Sequence, residues 1–188
     1  MRALRGWYRH RVARVNPEKL VFADESGANT AMTRSRGRAP VGERAAGAVP
    51  QGHWKQLTML GALRLDGPVA EATIESATDA EVFRMFVTDS LAPALRRGDV
   101  VVWDNLPSHA AADVDDVLRE HGAILLPLPP YSPDFSPIEP AWSKVKQALR
   151  GVEARDADAL AIAAGVAFAA ITSSDTHGWF GKCGYCVH

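Results

Sequence analysis

Cysteine is nearly absent. The 188 residues hold two, Cys183 and Cys186, in a Cys-x-x-Cys near the C-terminus with His177 and His188 nearby. Half a zinc site or a redox pair would use that spacing. No second ligand pair at zinc-knuckle spacing accompanies it, however, and no strand–helix context suits a redox motif, so two thiols in a loosely packed tail are the simpler reading. Long apolar runs are missing too. None approaches the length of a membrane span, and no membrane partner is expected. The arginine-rich N-terminus has no apolar segment behind it, so it does not read as a secretory signal, and cytoplasmic residence is expected. Net charge is also scarce, at −1, so the chain is not basic as a whole. No internal repeat is visible.

What is present suits one sizeable soluble domain with some tail left over: 47% hydrophobic and 23% charged residues. The charge is unevenly placed. Arg2, Arg5, Arg9, Arg11 and Arg14 lie in a stretch without acids, and Arg34, Arg36, Arg38 and Arg44 follow against Glu43 alone. Such stripes can supply phosphate contacts on a neutral protein, or simply solubilise a mobile segment. Acids concentrate elsewhere, notably at Asp113, Asp115 and Asp116.

Patterning predicts the elements. Leu20-Val21-Phe22-Ala23, after Pro17, reads as a buried strand ending in Asp24. Residues 27–54 are rich in Gly, Pro, Arg and Ala without a period, and a structureless stretch of that length is usually functional or disordered. Leu57 to Leu65 and Val69 to Ile74 form a hairpin joined at Asp66-Gly67. Thr78-Asp79-Ala80-Glu81 is a capping box opening a helix whose stripe runs from Val82 to Leu95, bent or ended by Pro93. Val100-Val101-Val102-Trp103 is a second buried strand ending in an acid, Asp104. A helix from about Ser108 to His121, a strand at Ile124-Leu125-Leu126, a Pro-rich stretch, a helix over 137–150 and an Ala-rich helix over 156–172 complete the order. Antiparallel strands followed by βα alternation give an α/β fold, a mixed sheet with helices on both faces.

Asp24 and Asp104 share the same apolar-run-then-acid pattern. On adjacent parallel strands, about 4.8 Å apart, the two carboxylates would repel unless one held a proton or a cation sat between them. Hard divalent cations favour oxygen ligands, with water and phosphate completing the shell. An acid at a strand end can also be a turn former. Glu139 is more ambiguous still: Ser136-Pro137-Ile138-Glu139 fits a capping box in which its carboxylate would serve its own helix. Yet Glu139, Lys146 and Arg150 share one azimuth beside the apolar stripe Ile138, Trp142, Val145 and Leu149, which suits a groove holding a metal and a polyanion. Glu25 should point to the opposite strand face. Asp134 lies in a turn and reads as a loop former, and His109 as helix-entry packing.

The segments Val21-Phe22-Ala23-Asp24-Glu25-Ser26, Val102-Trp103-Asp104-Asn105 and Pro130-Tyr131-Ser132-Pro133-Asp134-Phe135-Ser136-Pro137-Ile138-Glu139-Pro140-Ala141-Trp142 resemble the three catalytic motifs of mariner-like bacterial insertion-sequence transposases, of the DDE endonuclease superfamily. Asp104 and Glu139 have 34 residues between them, as in that family's Asp-Asp-34-Glu pattern. The third motif is long and specific, and the resemblance covers roughly residues 20–150.

It implies an RNase H-like five-stranded sheet with Asp24, Asp104 and Glu139 as catalytic and metal-binding residues. Two Mg²⁺ or Mn²⁺ ions would serve DNA cleavage at transposon ends and strand transfer, typically at TA. It further implies a homodimer, a nucleoid-associated location, and a 27–54 stretch standing where family members carry a clamping loop. Arg34, Arg36, Arg38, Lys146 and Arg150 are the candidate DNA contacts. The expected domains are a basic segment at 1–19, a catalytic domain at 20–152, and a helix and tail at 153–188. Family members normally begin with helix-turn-helix domains, whereas here the first catalytic strand begins about 20 residues in. A separately encoded half or a truncated copy would account for that. A non-catalytic remnant that binds DNA or pairs with full-length transposase, and an RNase H-like nuclease, are the competing readings.

Overall fold

A computed structural model describes residues 2–75, 79–104 and 113–187. Five strands form one mixed sheet in the order β3-β2-β1-β4-β5. They are β1 (Leu20–Asn29), β2 (Gln56–Arg64), β3 (Gly67–Ile74), β4 (Val100–Val102) and β5 (Ile124–Leu125). The predicted hairpin is β2–β3, turning at Asp66-Gly67, where Gly67 has a φ of 136° that a side chain would oppose. β1 lies antiparallel to β2 on one side and parallel to β4 on the other.

Strand β1 runs six residues past Ala23, to Asn29, because β2 pairs with it as far as Asn29↔Gln56. The irregular stretch therefore starts later than the composition of residues 27–54 implied. Pairing to a distant strand overrode local Gly content.

The helices are α1 (Arg2–Val12), α2 (Ala80–Phe86), α3 (Val114–Glu120), α4 (Ile138–Val152), α5 (Ala157–Ala169) and α6 (Ser173–Lys182). Alternation along β1 and β4 divides the core. Phe22 and Val102 face α1, α4, α5 and α6, and Val21, Ala23, Val101 and Trp103 face α2 and α3. Helices thus cover both faces, as expected. α2 is capped by Asp79, whose side chain accepts from Val82 N–H; Thr78, the first residue of the predicted capping box, lies outside the described residues. Past Phe86 it continues as a wider turn and a 3-10 turn containing Pro93, then ends. Gly122, with φ 73°, closes α3, whereas Ser108 and His109 lie outside the described residues.

Two elements depart from the sequence reading. Residues 2–12 form a helix anchored by the buried Tyr8 and Val12, not a basic linker. Residues after 172 form α6, not a loose tail, started by a capping box between Thr172 and Asp175. Its Phe180 is fully buried edge-on to Phe22. Among the described residues no single helix is long and apolar enough to cross a membrane.

An ion pair locks the start of β4. Asp99, fully buried, accepts from Arg64 Nη2 at 2.5 Å and from the Arg96 backbone N–H at 2.8 Å, with Lys19 Nζ 3.9 Å away. It ties β2, β1 and β4 together at the end of the sheet where β4 begins. Removing one partner of such a pair strands a buried charge. Asp99→Ala is expected to cost about 3–5 kcal/mol in urea unfolding, well beyond the loss from breaking the exposed Arg96–Asp66 pair by Asp66→Ala.

Candidate active site

The parallel β1–β4 ladder pairs Phe22 with Val102. Continuing that register by two residues brings Asp24 level with Asp104, on the side of the sheet that α4 covers. Glu25, one residue on, takes the opposite face, as its place in the strand predicts. The β4–β5 pairing also runs on past its strands through Leu126 N–H to Val101 O and Leu128 N–H to Trp103 O. That carries the Pro-rich 129–136 segment over the carboxylate end of the sheet.

Glu139 arrives from α4. The helix begins at Ile138 with Pro137 in the cap position and no side-chain cap, and the Glu139 N–H donates to Ser136 O at 3.3 Å. The capping box that Ser136 and Glu139 could have formed is therefore not made, and the carboxylate is exposed. Asp24, Asp104 and Glu139 all line one cleft of about 490 Å³, roofed by Tyr131, Ser132 and Pro133. A slightly larger cavity, about 530 Å³, lies between α1 and the C-terminal residues. It is walled by groups such as Tyr8, Val12, Phe135 and Tyr185 and has no carboxylate. The chemistry thus points to the cleft.

Burial and like charge both act on Asp24. Burial above all, with the nearby Glu139 and Asp104 adding to it, raises its carboxyl pKa from 3.8 to about 7, against hydrogen bonds from the Glu25 backbone and Trp142. An acid that holds its proton near neutrality for want of a counter-charge suits a cation site. Among the described residues no three or more His, Cys, Asp or Glu side chains are grouped closely enough to hold one metal ion together. The three carboxylates share a cleft but do not meet at a point. Mg²⁺ typically takes only one or two carboxylates and fills its remaining positions with water and phosphate oxygens, so it does not need all three to meet.

Trp142 is the residue the sequence reading did not find. It had a place in the apolar stripe of α4, and it is buried there against Phe168, ring centroids 5.3 Å apart. Its indole N–H also donates to Asp24 Oδ2 at 3.2 Å. The ring reaches Asp24 because Gly61, the β2 partner of Asp24, has no side chain. A Cβ there would stand 2.7 Å from Trp142 Cη2 and 2.8 Å from Phe168 Cζ. Only the pairing register, which no local pattern encodes, reveals that link.

The candidate DNA contacts are spread out. Arg34, Arg36 and Arg38 are exposed in the loop after β1, and Arg34 lies over Gly151 near the end of α4. Lys146 and Arg150 are half-buried on α4, outside the lining of the cleft. Asp134 forms part of the turn and does not line the cleft, as expected of a loop former. Cys183 and Cys186 are free, and burial pushes the Cys183 thiol up to about 11, away from the reactive thiolate.

Two outcomes are expected. Gly61→Ala should overpack the niche, costing about 1–3 kcal/mol in chemical denaturation and shifting the tryptophan fluorescence. Asp24 binds a proton more tightly in the fold than in the unfolded chain. Its stabilising contribution to the metal-free protein is therefore full below pH 3.8 and lost as pH rises through about 7. Thermal unfolding of metal-free protein should show Asp24→Asn gaining on the wild type as pH is raised from 5 to 8. A constant difference across that range would refute the assignment.

The chain is also similar to known proteins. The pattern of the DDE superfamily endonuclease family matches residues 19–161, more than half of the chain. Tcb2 transposase of a Caenorhabditis briggsae transposable element is 33% identical over 89 residues, covering 45% of this chain and 33% of that protein. The Mos1 transposase paired-end complex with the left transposon end superposes with a TM-score of 0.74 at 18% identity, over 97% of this chain and 57% of that one. A Mos1 mariner paired-end complex with Mn gives 0.71 at 17%, with the same coverage. This likeness shows the expected RNase H-like fold. The chain thus spans about a third of the curated relative and just over half of Mos1. The expected bacterial origin is not borne out, since the matched relative is a nematode element. By its sequence pattern and its fold alike, the chain belongs to the DDE superfamily endonuclease family.

Proposed function

We propose that the chain is the catalytic unit of a DNA transposase, cutting DNA at transposon ends and joining it to a target. The observation that carries this is the convergence of Asp24, Asp104 and Glu139 on one cleft, with Asp24 short of a counter-charge. The family to which the chain belongs and its likeness to transposases support it.

Asp24 and Asp104 would hold divalent ions from the sheet and Glu139 from the helix, two Mg²⁺ or Mn²⁺ ions being the family pattern. Bound ions would supply Lewis-acid stabilisation of the phosphoryl oxygens and a more acidic water or 3′-hydroxyl. The chain's own residues do the rest. Trp142 holds Asp24 Oδ2 and so fixes the carboxylate's orientation in the cleft. Asp24 releases its proton as a cation takes over the charge. Tyr131, Ser132 and Pro133 form one wall of the cleft that DNA would enter. Arg34, Arg36 and Arg38 on the long loop, and Lys146 and Arg150 on α4, supply phosphate contacts farther along the DNA. Pairing with a second copy, a helix-turn-helix element for end recognition and insertion at TA complete the proposal.

Asp104→Asn should leave the unfolding midpoint near that of the wild type. It should cut Mn²⁺-dependent nicking of transposon-end DNA by about a thousandfold, equivalent to several kcal/mol of lost charge stabilisation. Full retained activity would sink the proposal; comparable cleavage of an RNA–DNA hybrid would favour a general nuclease. Because a proton competes with the cation at Asp24, Mn²⁺ affinity by titration calorimetry should rise steeply between pH 6 and 8. No Mn²⁺ binding at pH 8 would favour a non-catalytic remnant.

A further inference from the structure

The turn that precedes Glu139 is held from outside by the first helix. Arg5 donates from Nη1 to Ser132 Oγ at 2.8 Å and to Asp134 Oδ1 at 2.9 Å, and from Nη2 to Asp134 Oδ2 at 2.5 Å. The same guanidinium lies 4.1 Å from the centre of the Phe135 ring, and that of Arg9 lies 4.9 Å from it. Tyr8 stacks on Phe135 with centroids 5.5 Å apart and planes 13° from parallel. From the C-terminal side the Tyr185 hydroxyl donates to Phe135 O at 2.6 Å and meets the Tyr8 hydroxyl at 2.9 Å.

The inner side of this turn is the active cleft. Ser132, Pro133 and Ser136 line it. The turn also sets where α4 starts: Phe135 N–H donates to Ser132 O, Ser136 N–H to Pro133 O, and Glu139 N–H to Ser136 O. A displacement at 132–134 therefore passes through three consecutive backbone bonds to the residue that bears the third carboxylate.

We infer that Arg5 is a positioning residue for Glu139, its two-pronged grip on Asp134 fixing the turn from which Glu139 enters the cleft. The inference rests on the cleft being the phosphoryl-transfer centre. Two considerations separate positioning from mere stability. The Asp134 side chain is 55% exposed, and exposed ion pairs contribute little to folding. α1 is anchored instead by Tyr8 and Val12, both buried. A bidentate guanidinium–carboxylate pair fixes orientation as well as distance, and misplacing a catalytic group by about 1 Å can cost a hundredfold in rate. Arg5 also holds the Asp134 carboxyl below the usual carboxylate range, so the pair stays charged at neutral pH.

The test uses the whole chain with three variants: Arg5→Gln, Arg5→Lys, and the swap of Arg5→Asp with Asp134→Arg. Three quantities are read: hydrogen exchange at the Phe135, Ser136 and Glu139 amides, Mn²⁺ affinity, and Mn²⁺-dependent nicking of supercoiled plasmid. Arg5→Gln should speed exchange at those amides and lower kcat by about tenfold or more with KM for DNA unchanged, at an unchanged unfolding midpoint. The swap should recover part of both losses. Arg5→Lys keeps the charge but not the fork, and should fall between Arg5→Gln and the wild type. It also serves as the probe should Arg5→Gln unfold. Wild-type exchange and wild-type kcat in Arg5→Lys and Arg5→Gln would overturn the inference. A wild type that neither binds Mn²⁺ nor nicks would overturn the catalytic reading of the cleft, while faster exchange in Arg5→Gln would still show that the clamp holds the turn.

Discussion

Everything at the site depends on the parallel pairing of β1 with β4. Three register pairs, Leu20↔Val100 to Phe22↔Val102, are enough to bring two aspartates level at the end of the sheet. The position is electrostatically costly: burial first, then the neighbouring Glu139 and Asp104, lift the Asp24 carboxyl pKa to about 7. The surrounding structure holds the pair despite this. β2 braces the far edge of β1 along eight residue pairs, and the buried Arg64–Asp99 pair fixes the beginning of β4.

Helix α4 brings the third acid and the means of orienting the first. One face of its first two turns presents Glu139 to the cleft and Trp142 to Asp24, with Ile138 and Val145 buried in the core beneath. The approach is close enough for the indole hydrogen bond only because β2 carries glycine opposite Asp24. Core packing and site geometry are here the same contact. Trp142 packs on Phe168 of α5 while holding a carboxylate oxygen.

The chain's two ends meet at the turn before α4. Tyr8 from the first helix and Tyr185 from beyond the last share a hydroxyl contact against Phe135, and the Arg5 fork closes over Asp134. Residues that composition alone marked as a basic arm and a loose tail are thereby parts of the wall behind the active cleft. Arginines at one end are consequently divided in role: Arg5 is engaged within the molecule, whereas Arg34, Arg36 and Arg38 stand out on an exposed loop.

Much was legible from local pattern. The hairpin, the two apolar runs ending in acids, and the amphipathic helix after the Pro-rich stretch all formed where their periodicity placed them, because each is decided by neighbours within a few residues. The misses share one cause. α1 and α6 carry few apolar residues and gain their stability from docking, through Tyr8, Val12 and Phe180, onto surfaces far away in sequence. α6 did leave a trace, its Thr172–Asp175 capping box. Glu139 shows the boundary most clearly. Its sequence fits a cap as well as a catalytic acid, and the turn that puts Pro137 in the cap position rules out the capping box. The sequence by itself determined which side chains were available and which face of its own strand or helix each occupied. Only the tertiary structure decided which of them meet, since strand register, the glycine niche and the Arg5 clamp join residues up to 129 positions apart.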